Sequence, residues 1–153
     1  MPRSIRPPRS TSRRALAATR VTPSGTVLDA PNITINKGYS AAPAVAFGAG
    51  SYLVAWEDDN AHQIYVRRVG TDGKPIGTAA ARVWSADFYD EFDPAVAFDG
   101  TNFVVTLRSR SSQGRNYLVA ARYGPTGTLL DSTPRMILEQ APGSSLDDMV
   151  GTK

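Results

Sequence analysis

Half of the chain's 14 acidic residues fall in two tight clusters. These are Glu57-Asp58-Asp59-Asn60-Ala61-His62 and Asp87-Phe88-Tyr89-Asp90-Glu91-Phe92-Asp93. The first gathers carboxylate and amide oxygens with the chain's one histidine, and oxygen-rich loops suit hard cations such as calcium. Its spacing is not that of an EF-hand loop: no glycine stands at the sixth position and no glutamate closes it. A solvated turn explains the same residues. In the second cluster, exposed Tyr and Phe faces can stack on a sugar ring, since aromatic side chains combine an apolar body with tolerance of polar surroundings. The plainer reading is a connecting loop with partly buried rings. The ligand-binding candidates are therefore Asp58, Asp59, Asn60 and His62 in the first cluster, and Asp87, Tyr89, Asp90 and Asp93 in the second.

Enzymatic chemistry has thinner support. Asp58 with Asp59, or Asp90 with Asp93, supply the two carboxyls of a glycoside hydrolase only formally, without a rigid partner set. As a general base, His62 has no nucleophile or orienting acid identifiable from the sequence. The absence of cysteine excludes disulfides, thiolate metal sites and a Cys nucleophile. One histidine per chain excludes a His-rich zinc site built within it. Arg20, Arg68 and Arg122 recur at equivalent places and would suit a carboxylate ligand if they converged. Strand arginines more often lie with packed stems and solvated heads. No catalytic or metal residue is assigned.

The elements that must hold these residues come from an internal repeat. Pro43-Ala44-Val45-Ala46-Phe47 recurs identically as Pro94-Ala95-Val96-Ala97-Phe98, 51 residues later. At the same offset, Tyr52-Leu53-Val54-Ala55-Trp56 matches Phe103-Val104-Val105-Thr106-Leu107. A second element occurs three times, in residues 18–28, 66–76 and 120–130, with turn glycines Gly25, Gly73 and Gly127. Val, Ile, Tyr, Phe, Trp and Thr crowd the apolar runs, and Gly, Pro, Asp, Asn and Ser crowd the gaps, which is strand composition. No segment holds a 3.6-residue period, and Pro142-Gly143 interrupts the one helical candidate, Leu138 to Met149. In the first full unit the spacing predicts strands at Ala44–Phe47, Tyr52–Trp56, Ile64–Val69 and Arg82–Trp84. The runs at 43–47 and 53–56 read as buried inner strands, with Ala44, Ala46, Ala95 and Ala97 allowing close approach. Asp99-Gly100 reads as a hairpin turn.

Four short antiparallel strands repeating about every 50 residues are the signature of a β-propeller blade. The pattern Pro43–Phe47, Tyr52–Trp56, the acidic loop Glu57–Asn60, Ile64–Arg68 and Asp72-Gly73 resembles bacterial β-propeller repeat proteins. The later copy departs from it at Leu107 and Thr126. The expected fold is all-β: a partial β-propeller of about two and a half blades behind a basic tail (1–15). A half-blade spans 16–38, blades span 40–86 and 92–138, and 144–153 opens a further one. Propellers close with about 4–8 blades, so the expected partners are further blades, from a longer chain or from self-association.

The net charge of +3 on 153 residues is a +6 tail on a −3 body, because residues 1–20 hold six arginines and no acid. A domain-wide basic stripe, the footprint of a nucleic-acid binder, is therefore missing, and nucleic acid would bind only weakly, through the tail. The tail is Pro- and Ser-rich and is expected to be disordered. Arg13-Arg14 begins like an export signal, but the apolar stretch behind it falls short of the about 7–15 residues required. Prolines at 2, 7 and 8 oppose a transit-peptide helix. No apolar run reaches the ~18 residues of a membrane helix. The resemblance implies a secreted or cell-envelope protein if the N-terminus is truncated; the sequence complete as given would be cytoplasmic. The expected function is a non-enzymatic binding or interaction module with a carbohydrate or protein ligand and no required cofactor. A piece of a glycan-acting hydrolase is the alternative.

Overall fold

The computed structural model describes residues 15–83 and 90–140, the side chains of Thr78 and Ala79 excepted. All its regular elements are strands. β1 (Leu16–Ala18) and β2 (Ile33–Asn36) form an antiparallel pair. A four-stranded sheet follows: β3 (Ala41–Gly48), β4 (Ser51–Asp58), β5 (Gln63–Gly70) and β6 (Pro75–Arg82), each hydrogen-bonded to the next. A second such sheet contains β7 (Asp90–Phe98), β8 (Phe103–Arg110), β9 (Asn116–Tyr123) and β10 (Arg135–Gln140). The two are up-and-down antiparallel blades packed face to face, the arrangement of a partial β-propeller. β1 and β2 correspond by repeat register to the third and fourth strands of a blade. The tail 1–14, the segment 84–89 and residues 141–153 lie outside the described residues.

Two-sided burial explains the uninterrupted apolar run of β4. Leu53 and Ala55 face the second sheet, in one core with Ile64, Val66, Phe103, Val105, Leu107, Val119, Ala121 and Tyr123. Val54 and Trp56 face the opposite way, in a core with Ile35 and Val69 that Leu16 and Ile33 of the half-blade help close. A strand buried on both faces needs no polar alternation.

β3 departs from the expected buried inner strand. Ala44 and Ala46 are half-buried, but Val45 and Phe47 are exposed on the side of the half-blade, of which only β1 and β2 are among the described residues. In the identical run of β7 the faces swap: Val96 and Phe98 pack against the first sheet, and Ala95 and Ala97 are exposed. Gly48 is where this packing is tightest, since a Cβ there would fall 2.2 Å from the Phe98 ring. The fourth strand of the first sheet includes Arg82 but starts well before the expected Arg82–Trp84, of which Trp84 lies outside the described residues. It begins at Pro75, because the 70–74 turn closes at once, Gly70 N–H bonding Lys74 O at 2.8 Å, and Val69 then pairs with Pro75. Pro75 is tolerated there because β6 is an edge strand and Pro opens it.

Candidate functional site

Two turns place the nominated residues. At the β4–β5 turn, Asp58 Oδ1 accepts the N–H groups of Asn60 and Ala61, each at 3.0 Å, and Asp58 O accepts the His62 N–H at 2.8 Å. Asp58 is thereby occupied by its own turn, as short acidic side chains are in such loops. His62 has a left-handed backbone, φ 49°, while Asp59 and Asn60 are exposed.

At the start of β7, a bulge does the aiming. Register shifts between Phe92 and Ala95, with Asp93 at φ 49°. The same shift occurs in β3 between Ala41 and Ala44, with Ala42 at φ 44°. Bulges bend a strand and redirect a side chain. Here the bulged residue is Asp93, whose carboxylate takes a hydrogen bond from Arg108 Nη1 at 2.9 Å.

These turns meet across the junction between sheets. The Glu91 N–H donates to His62 O at 2.8 Å, and the His62 and Phe92 rings lie 6.0 Å apart at 55°. His62 Nδ1 is 3.6 Å from Glu57 Oε1. Burial raises the Glu57 carboxyl above its ordinary pKa; His62 opposes that, and the charges of Asp93 and Asp59 add to it. The patch therefore joins Glu57, Asp59, His62, Phe92 and Asp93 from both sequence clusters. Asp90 is not part of it and lines a separate polar cleft with Arg110, Ser111 and Gln113. Asp87 and Tyr89 lie outside the described residues. Among the described residues, no three His, Cys, Asp or Glu side chains come together as metal ligands.

Glu91 was not singled out by sequence, yet it is the most deeply buried carboxyl described. Oε2 accepts the Ile64 N–H at 2.7 Å, and Arg82 Nη2 stands 3.9 Å from Oε1. Burial pushes its pKa up; the Ile64 bond and Arg82 pull against that.

The three equivalent arginines are all engaged. Arg20 is clasped by Asp29 and Arg122 by Asp131, each through Nε and Nη2, with the arginine N–H bonded to the same carboxylate. In the middle unit Gly77 stands nine residues on, and Arg68 instead uses Ser51 Oγ at 2.9 and 3.2 Å. The signal was in the sequence, an Arg and an Asp nine residues apart in the first and third units.

An apolar concavity lies elsewhere. It is an apolar groove of about 600 Å³ between the half-blade and β3, lined by Leu16, Ala18, Val45, Phe47, Tyr52 and Val54 among others. Of the residues considered from sequence, Arg20 alone is among its lining; none of Asp58, Asp59, Asn60, His62, Asp90 and Asp93 is.

The fold thus defines an all-β, blade-repeat chain. No family model matches it, and no curated protein matches it. Among solved structures, it is similar to a GH43_1 enzyme from Xanthomonas citri complexed with xylose, at 16% identity and a TM-score of 0.47. It is also similar to the GH43_1 enzyme from Xanthomonas citri in a second structure, at 16% identity and a TM-score of 0.44. Each alignment covers 62% of this chain and 32% or 33% of the enzyme, so the chain spans about a third of their length.

Proposed function

We propose that the chain is a non-enzymatic binding module of a surface or secreted β-propeller protein. It takes a polyhydroxylated, carbohydrate-type ligand at the blade junction. The observation that supports this reading is the convergence of half-buried Phe92 with exposed His62, Asp59 and Asp93 from two turns on one patch. An aromatic face beside carboxylates and an imidazole is the donor, acceptor and apolar set that a sugar ring presents to. Rigid sheets hold these groups on loops, where binding residues ordinarily sit. The test is a glycan microarray followed by calorimetry with the best neutral sugar. Binding should occur, and Phe92→Ala and Asp93→Asn should each weaken it at least tenfold. Absence of binding to any glycan would overturn the reading.

One observation favours a second reading, a piece of a glycan-acting hydrolase. Burial raises the Glu57 pKa, as a general acid requires, and Asp93 stands in the same patch as a second carboxyl. Hydrolysis of aryl glycosides that is abolished by Glu57→Gln would favour it over the binding module.

A further inference from the structure

The strand arginines do more than close their own units. Arg20 Nη1 donates to Thr71 O at 2.6 Å, in the turn of the following unit. Its guanidinium covers Gly73, where a Cβ would fall 3.0 Å from Nε and 3.1 Å from Cζ. Arg68 repeats the contact one unit on. Its Nη1 donates to Thr126 O at 3.0 Å, and its stem covers Gly127, where a Cβ would fall 2.4 Å from Cδ. The chain thus makes one junction twice: a strand arginine laid across the turn glycine of the next blade.

Among the described residues, each of the two outermost units carries an unmet half of that junction. Arg122, the third equivalent, is held by Asp131 as Arg20 is by Asp29, but among the described residues it has no acceptor in a following turn. Gly25, the equivalent of Gly73 and Gly127, has φ 87° and nothing within 4 Å of the position a Cβ would take. A second, independent difference marks the same end. Val21 corresponds to Val69 and Tyr123, which are 4% and 1% exposed because a preceding blade covers them; Val21 is 54% exposed. On the Arg122 face, Ala120 holds the place of buried Val66 and is only half-buried.

We propose that this chain associates head to tail with a second copy of itself, Arg122 of one copy lying across Gly25 in the Thr22–Thr26 turn of the other. The backbone carbonyls of Pro23 and Ser24 are the acceptors, since Thr71 and Thr126 stand two and one residues before their glycines. Both halves of the contact are on the same chain and differ from each other, so the interface is heterologous and propagates or closes by rotation.

The test is sedimentation velocity of the full chain over a wide concentration range, with two variants that each remove one half. Gly25→Asn introduces a side chain that tolerates positive φ and fills the space over the turn. Arg122→Ala removes the arginine; Ala120→Glu is the alternative should that variant lose its native circular dichroism, since it leaves the Arg122–Asp131 pair in place. The wild type should associate as concentration rises. Each variant alone should remain monomeric, and an equimolar mixture should form a one-to-one dimer, because each contributes its intact half. A wild type that stays monomeric throughout would overturn the proposal and leave this face to a further blade of a longer chain. Association untouched by either substitution, or a mixture that stays monomeric, would overturn it as well.

Discussion

Glu91, near the start of β7, accepts the backbone N–H of Ile64 from the neighbouring sheet at 2.7 Å, deep in the junction between the two blades. Its carboxyl is buried, and burial holds its pKa above the ordinary range. The folded state therefore binds this proton more tightly than the unfolded chain does. Stability should fall as pH rises from about 4.3, the ordinary Glu value, through the raised folded value, and level off above it. Glu91→Gln keeps an acceptor for Ile64 and should flatten that slope. Glu91→Ala leaves the buried amide without a partner and should lose about 1–3 kcal/mol. Urea midpoints between pH 4 and 9 check all three.

The contact of Gly48 with Phe98 sets a second expectation. A Cβ at residue 48 would come within 2.2–2.6 Å of three Phe98 ring carbons. Gly48→Ala should therefore force the blades apart locally and cost about 1–3 kcal/mol, as overpacking of a tight core does. Phe98→Leu in that background should recover part of the loss, and the coupling would appear in a double-mutant cycle by chemical denaturation. Additive losses would mean that the two residues do not meet.

Why some of this was legible in the sequence follows from the same contacts. The repeat of Pro43–Phe47 as Pro94–Phe98 and the three turn glycines disclosed the blades, because strand pattern and turn chemistry are local properties. What stayed hidden depends on the neighbour. Identical strands β3 and β7 bury opposite faces, since one looks at a half-blade and the other at a complete sheet. His62 and Phe92 are thirty residues apart in the chain and adjacent in space, which no spacing rule gives. In the sequence Glu91 reads as one more loop acid, because its role depends on the Ile64 amide of the neighbouring sheet.

The Arg122–Asp131 pair predicts acid sensitivity of the opposite sign to Glu91. Asp131 is lowered first by the Arg122 side-chain hydrogen bond, with burial opposing and Arg135 adding a further bond. A depressed carboxyl contributes stability above its unfolded value of about 3.9, and that contribution is lost as pH falls from there through the folded value. Asp131→Asn should lower the neutral-pH denaturation midpoint and remove this part of the acid dependence. Arg122→Lys should keep the charge but not the forked geometry, giving an intermediate midpoint. Denaturant titrations between pH 2 and 7 read both.

Trp56 gives the last expectation. The ring is fully buried in the core shared with the half-blade and stacks on Tyr65, centroids 6.1 Å apart at 21°. Its Nε1–H is buried, and no acceptor lies within hydrogen-bonding distance among the described residues. A buried donor without a partner carries a desolvation penalty of about 1–3 kcal/mol, so the indole holds its place by apolar area and shape alone. Trp56→Phe removes the penalised N–H while keeping much of the apolar ring, and should cost less than about 1.5 kcal/mol. Trp56→Ala empties the space between half-blade and sheet, and should cost about 3–5 kcal/mol. The two losses are compared by urea denaturation monitored by far-ultraviolet circular dichroism. Equal losses would mean that the indole N–H is satisfied and that the hydrogen bond, not the packing, holds Trp56 in place.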